Sequence, residues 1–480
     1  MVSKKENFSE WYTHVTKDAE LCDLRYNVKG FIVFRPNSVV TMKKMYSIYE
    51  AELEARGHKP ALFPALIPEE NFHRESEHVE GFIPEVFWVT HAGGSELSER
   101  YAMRPTSETA MYNMYSLWIQ GLKDLPLKIY QSCQVWRHET KATRPFIRSR
   151  EFYWIEAHDV FATKEEAEQQ VREDMEMAEK IIHGKFGIPF LFFQRPQWDK
   201  FPGAVNTYAA DTLMPDGKVI QQPSTHLLGQ NFAKPFNVTF LNEKGEKDYG
   251  WQTCYGPAIS RIYASLISVH GDDKGLVLPY GLAPTQVAII PILFKGSEEK
   301  VLSKCRELEK KLREKGVRVV FDNSENTPGF KFNHWELRGV PVRIEVGGRE
   351  VDAGELTLAR RDLGKREKIK ESELEKYLED ASAKILESLR SKADEWFNGM
   401  IHKASSMQEL DSELSKGGFV AVPFCTDEME GEDCAAKVKE ELHGDVRGKL
   451  FSRQEEPENG VKCIACGKPA NCIVYVGRQY

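Results

Sequence analysis

The run Val135-Trp136-Arg137-His138-Glu139 sets an arginine and a glutamate two residues apart. On an extended strand such residues point to one face. The planar fork of an arginine takes two phosphate oxygens at once. A carboxylate beside it accepts hydrogen bonds from a base or a sugar. The following loop adds Lys141, Arg144, Arg148 and Arg150, and Phe152 then offers a flat face for a purine. These residues suit a nucleotide that reacts, beside a surface for nucleic acid. An Arg-x-Glu standing alone is a surface ion pair of little weight; the cations and the aromatic that follow it argue for a site.

A second group is built of cysteines. Cys425 and Cys434 lie nine positions apart, and Cys463-Ile464-Ala465-Cys466 is a C-x-x-C. Two loops presenting two thiolates each can close a tetrahedron around Zn2+. Four protein ligands leave no place for water, so such a site is structural. The alternative is two buried free thiols plus a redox C-x-x-C. A short terminal module with a limited core gains most from a metal. Cys22, Cys133, Cys254 and Cys305 are scattered and read as packing residues.

The chain has 480 residues, 41% of them hydrophobic, which suggests about three domains with sizeable cores. A net charge of −8 does not announce an RNA binder, but phosphate contacts need only a local basic patch. No apolar run is long enough to span a membrane, and the polar start Met1–Glu6 lacks a signal core. A cytoplasmic protein with reduced thiols and no membrane partner is expected.

Residues 38–56 read as a helix, with Val39, Met42, Met45, Tyr46, Tyr49 and Leu53 near helical spacing and Gly57 as the stop. A strand over 61–68 follows, where Pro64 belongs at an edge or bulge. Arg261 opens an apolar helical run to His270. Residues 1–283 read as one domain, closed by a short linker ending at Pro284. Beyond it, strands at 286–293, 317–321, 342–346 and 355–360 alternate with helix, the pattern of an α/β unit with a largely parallel sheet over 284–395. The charged stretch 367–413 reads as helix bridging to a last module, 396–480.

These segments, in this order, resemble the class II aminoacyl-tRNA synthetases: motif 1 at about 38–68, motif 2 at about 130–160, motif 3 at about 250–275. Arg104-Pro105-Thr106-Ser107-Glu108, Phe152 to His158, Thr225 to Phe232, Lys331 to Pro341 and Tyr480 narrow the resemblance to prolyl-tRNA synthetases of the archaeal and eukaryotic form. The resemblance implies an antiparallel-sheet catalytic domain, an α/β anticodon-binding domain and a small zinc-binding α/β domain. It implies a homodimer that joins L-proline to tRNA(Pro) using ATP and Mg2+, without DNA as a partner. The stretch between Glu139 and Arg261 is too short for the large editing insertion of many bacterial relatives.

By the same resemblance, Arg137 holds the α-phosphate and the amino-acid carboxylate, and Arg261 the γ-phosphate. Glu139 faces the adenine amino group, Phe152 stacks on the ring, and Arg148 meets ATP. Thr106 and Glu108 meet the proline amine; Trp154, Glu156 and His158 line the pocket, and His226 closes it. Ser224 and Ser260 stand where relatives often carry threonine, with Ser260 counted in the proline set. Arg144 and Arg150 are expected at the acceptor end of the tRNA, and Glu336, Arg338, Glu345 and Arg349 at the anticodon. Zn2+ is assigned to Cys425, Cys434, Cys463 and Cys466; Cys472 is left out because the prolyl family commonly has another residue there. A serine or threonine enzyme of the class, a non-catalytic RNA-binding relative and a tRNA-independent activator are the competing readings.

Overall fold

The Arg-x-Glu segment leaves the end of one arm of a long hairpin. A computed structural model of the chain describes residues 2–72, 86–453 and 455–480. Its main sheet contains β1 (Lys59–Pro60), β2 (Leu127–Trp136), β3 (Glu151–Phe161), β4 (Leu191–Gln194), β5 (Asn206–Leu213), β6 (Val219–Gly229) and β7 (Trp251–Pro257). Their order is β4-β5-β6-β7-β3-β2-β1, antiparallel throughout except the β1–β2 edge. The β2–β3 ladder runs unbroken from Leu127↔Val160 to Trp136↔Glu151. Residues paired across strands share a face. His158 pairs with Cys254 and Cys254 with His226, so the register alone sets these three side chains in a row.

The opposite face is covered by helices α1 (Phe8–Asp18), α2 (Pro36–Ala55), α4 (Lys164–Ala178) and α5 (Ile259–His270), while α3 (Glu108–Trp118) follows the 104–108 loop. Met45, Tyr49 and Leu53 of α2 meet Tyr263 and Ile267 of α5 in the largest core. Helix α2 starts earlier than the apolar spacing indicated, because Pro36 suits a first helical turn, where no N–H is needed. The expected strand over 61–68 is broken: β1 ends at Pro60, and a separate short strand covers Leu66–Pro68. Prolines at 60, 64 and 68 remove the donors a continuous ladder requires.

A second sheet contains β8 (Val287–Ile292), β9 (Val319–Phe321), β10 (Val342–Gly347), β11 (Glu355–Arg360) and β12 (Lys365–Lys370), in the order β9-β8-β10-β11-β12. The first three are parallel, but β11 and β12 form an antiparallel hairpin, so the sheet is mixed rather than largely parallel. Strand β12 lies in the stretch read as helix, because its charges mask a strand at an exposed edge. Helices α6 (Glu298–Glu314), α7 (Pro328–Leu337) and α8 (Leu374–Asn398) flank this sheet, and α8 buries Leu374, Leu378, Ala381, Ile385 and Leu389 along one stripe.

The last strands, β13 (Ile401–Lys403), β14 (Phe419–Phe424), β15 (Asp445–Leu450) and β16 (Cys472–Gly477), order as β13-β14-β16-β15. Strand β15 also pairs with β4, so the C-terminal strands and the main sheet are one eleven-stranded sheet. No described helix is long and apolar enough to cross a membrane.

Candidate active site

A cavity of about 320 Å³ opens on the sheet face that carries Cys254 and His226. Thr106, Glu108, Arg137, Trp154, Glu156 and His226 line it. Glu108 and Glu156 are buried, and each carboxylate has a hydroxyl donor. Thr106 Oγ1 donates to Glu108 at 2.5 Å; Ser107 donates to Glu156 through Oγ at 2.6 Å and its backbone N–H at 3.0 Å. Gln131 Nε2 supports Ser107 Oγ at 2.7 Å. His158 stands behind the wall, with Nε2 3.2 Å from Glu156 and Nδ1 3.0 Å from the Tyr112 hydroxyl. Burial opposes its protonation, but Glu156 and Glu108 outweigh burial and raise its pKa. His226 sits between Thr207 Oγ1 at 2.9 Å and Ser224 Oγ at 3.0 Å, and burial lowers its pKa to about 4. A pair of buried carboxylates beside a neutral imidazole suits a small cation inside a tight wall. Cys133 and Cys254, read as packing residues, have sulfurs 3.6 Å from Glu156 and 3.4 Å from Glu108.

A smaller cavity of about 90 Å³ adjoins, lined by Arg137, Glu139, Arg148, Phe152, Ser260 and Arg261 among others. Ser260 thus falls with the expected nucleotide residues rather than in the first cavity, its Oγ 3.4 Å from the Tyr153 backbone. Arg137 lies over the rings of Phe152 and Trp154, at 5.3 and 5.8 Å. Arg261 is in the first turn of α5. Burial, then the charges of Arg137 and Arg148, lower its pKa to about 10. Crowded guanidinium groups raise the local positive potential, which a bound anion relieves.

The other two loop arginines are tied down. Arg144 donates to the Tyr480 hydroxyl at 3.0 Å and to the Ser9 carbonyl at 2.9 Å. Arg150 donates to the carbonyls of Glu139 and Lys29, at 3.2 and 3.3 Å. The backbone oxygen of Tyr480 also accepts from Arg148, so Tyr480 docks on the motif 2 loop.

Sequence reasoning missed one group altogether. Asp211 is buried between Arg195 and Arg447, each with a bond at 2.8 Å, and both arginines line the larger cavity. Burial opposes ionisation of Asp211, yet the two guanidinium groups pull its pKa down to about 2. Asp211 and Arg447 are 236 residues apart, and no local spacing signals their pairing.

In the five-stranded unit, Arg343 donates to Glu336 at 3.1 Å and Glu345 at 3.0 Å, and Arg366 donates to Glu345 at 2.8 Å. The Phe332 ring has Arg343 at 4.1 Å and Arg366 at 5.3 Å. Glu336 and these three line a cavity of about 340 Å³. Glu345, Arg338 and Arg349 do not. Arg338 instead bonds Glu20 at 2.7 Å, and Arg349 is exposed on the helix Gly348–Ala353.

The sulfurs of Cys425, Cys434, Cys463 and Cys466 lie within 4.8 Å of one another, with Cys425 and Cys434 at 3.6 Å. A tetrahedron with Zn–S bonds of about 2.3 Å has edges of roughly 3.8 Å, so the thiol set fits Zn2+.

Residues 87–270 match the family of the tRNA synthetase class II core domain (G, H, P, S and T), 286–381 the anticodon binding domain, and 407–480 the prolyl-tRNA synthetase C-terminal family. A proline–tRNA ligase of Thermofilum pendens is 56% identical over 482 residues, covering 100% of this chain and 98% of that protein. One from Pyrococcus horikoshii is 42% identical over 486 residues and 100% of both chains. The Giardia lamblia prolyl-tRNA synthetase in complex with prolyl-adenylate aligns with a TM-score of 0.96 at 37% identity, over 100% of this chain and 99% of that one.

Proposed function

The chain belongs to the prolyl-tRNA synthetases of class II, and on that premise we propose how its side chains divide the reaction. It attaches proline to tRNA in two steps at the expense of ATP. A proline carboxylate oxygen attacks the α-phosphorus, the bond to the β-phosphate oxygen breaks, and pyrophosphate leaves. A ribose hydroxyl of the terminal tRNA adenosine then attacks the activated carbonyl, and AMP leaves. Neither step needs a protein nucleophile; positioning and charge neutralisation supply the acceleration.

One observation carries the division of roles. Arg137, Phe152 and Arg261 line both cavities, and so stand where carboxylate and α-phosphate must meet. In this reading Arg137 bridges the two reacting groups, Arg261 takes the γ-phosphate, and Arg148 and Glu139 hold the rest of the nucleotide over Phe152. Glu108 and Thr106 face the proline ammonium, with Trp154, Glu156 and His226 as walls and His158 fixing Glu156 from behind. Ser260 is reassigned to the nucleotide side. Mg2+ would add positive charge against the phosphates, alongside Arg137 and Arg261 in the nucleotide cavity. Zn2+ would lock the two cysteine loops of the C-terminal module. The cytoplasm is the proposed working compartment, since four thiols set to hold Zn2+ must stay reduced. A homodimer through the motif 1 edge is supported by large apolar side chains left in water there: Leu62 is 83% exposed and Leu66 46%.

ATP–pyrophosphate exchange with each standard amino acid tests the reading, with Arg137→Ala as control. Exchange is expected with proline above all others and to fall by about 1000-fold or more in the variant, as for loss of a group that stabilises the transition state. Exchange strongest with serine or threonine would overturn the pocket assignment.

A further inference from the structure

Beside the 340 Å³ cavity, a second crevice of about 310 Å³ lies on the other side of helix α7, and Trp335 lines both. Its wall is aromatic. Phe330 is 55% exposed, a large ring held in water, and stacks on His334 at 6.2 Å and 27°. His334 meets Trp335 edge-on at 4.9 Å. The floor is rigid: Asp322 accepts from Trp335 Nε1 at 2.9 Å and Ser324 Oγ at 2.7 Å, and its carbonyl accepts from Lys331 at 3.0 Å. His334 is neutral, because Arg338 donates to its Nδ1 at 3.0 Å and burial and the Arg338 charge both lower its pKa. The exposed amides of Asn323 and Asn326 stand at the rim. Among the described residues no lysine or arginine lines the crevice.

Flat neutral rings, amide donors and acceptors, a carboxylate in the floor, and cations already spent on Asp322 and His334 fit the face and edge of an unpaired nucleobase, not a phosphate. The neighbouring cavity is the reverse, with Phe332 between two guanidinium groups. We propose that the Phe330–His334 crevice binds one unpaired base of the tRNA anticodon loop that flanks the bases taken by the Phe332–Arg343 cavity. This rests on tRNA docking at that cavity. One helix then serves two consecutive base sites, Trp335 forming the wall between them.

The test uses the full-length enzyme and a tRNA(Pro) transcript. Phe330→Ala is expected to raise the KM for tRNA in aminoacylation by roughly 5- to 20-fold, the lower range for loss of one base–aromatic stack. Proline-dependent pyrophosphate exchange should be unchanged, and Phe330→Tyr should stay near wild type. Transcripts made abasic at single anticodon-loop positions outside the triplet locate the base. At one of them the wild-type KM should rise, and Phe330→Ala should add nothing further. An unchanged KM in Phe330→Ala overturns the proposal, as does additivity at every abasic position. Arg343→Ala separates the two ideas: if it too leaves the tRNA KM unchanged, docking at the neighbouring cavity fails as well.

Discussion

His226 carries a pH dependence of known sign. Its folded pKa of about 4 lies below the usual histidine value near 6.5. The unfolded chain therefore binds the extra proton between those values, and stability falls as pH drops through that window and is whole above it. At pH 5 the loss from this one group is roughly 2 kcal/mol. His226→Gln keeps polar contacts to Thr207 and Ser224 without the titration. The difference in urea midpoint between pH 8 and pH 5 should shrink in that variant; an identical acid loss would refute the neutral imidazole. Glu108→Gln should leave the fold intact and raise the KM for proline by about 30-fold, the weight of one hydrogen bond to a charge. Pyrophosphate exchange across proline concentrations measures it, and an unchanged KM would remove Glu108 from the ammonium. At this scale the sequence was most readable where strand alternation and motif spacing act together. Arg137, Glu139, Phe152 and Glu156 are local to one hairpin. Arg447 was invisible, because only the folded sheet brings it to Asp211.

The junction of β15 with β4 is where elements couple. Strand β15 bulges between Val446 and Gly448, and Gly448 sits at φ +115°, a conformation that favours glycine. A Cβ there would stand 1.9 Å from the Gln194 carbonyl oxygen. Gly448→Ala must therefore push β15 from β4, and Arg447 from Asp211 with it. A loss above about 2 kcal/mol is expected, with earlier protease cutting between the C-terminal strands and the main sheet. Asp211→Ala should cost about 3–5 kcal/mol, since two buried guanidinium groups lose their counter-charge. If both variants melt like wild type, the shared sheet does not stabilise the molecule. Element identity was legible where one periodicity dominated, as in α2 and α8. It failed where backbone chemistry or an edge position overrode pattern: three prolines split the strand after α2, and charges hid β12.

Across the whole molecule, the proposed subunit edge and the amino-acid loop are joined by two hydrogen-bonded links. The Arg104 guanidinium donates to the carbonyls of Phe63 and Pro64 at 2.9 and 3.3 Å, and its own backbone leads into Pro105 and Thr106. Phe63 N–H donates to Gln131 Oε1 at 3.0 Å, Gln131 donates to Ser107, and Ser107 to Glu156. Exposed Leu62 lies next to Phe63, so whatever covers Leu62 fixes one end of this chain. Coupling through such a network appears as non-additivity between substitutions at its two ends. Leu62→Lys should yield a monomer by light scattering and raise the KM for proline by about 10-fold, roughly 1.4 kcal/mol. Gln131→Ala should produce a similar KM while remaining a dimer, and leave the KM for ATP unchanged. The double variant should be little worse than Leu62→Lys alone, because the link is already slack once the edge is free. A monomeric Leu62→Lys with wild-type proline KM would show that the pocket holds its shape without the partner, and would restrict Gln131 to its own subunit.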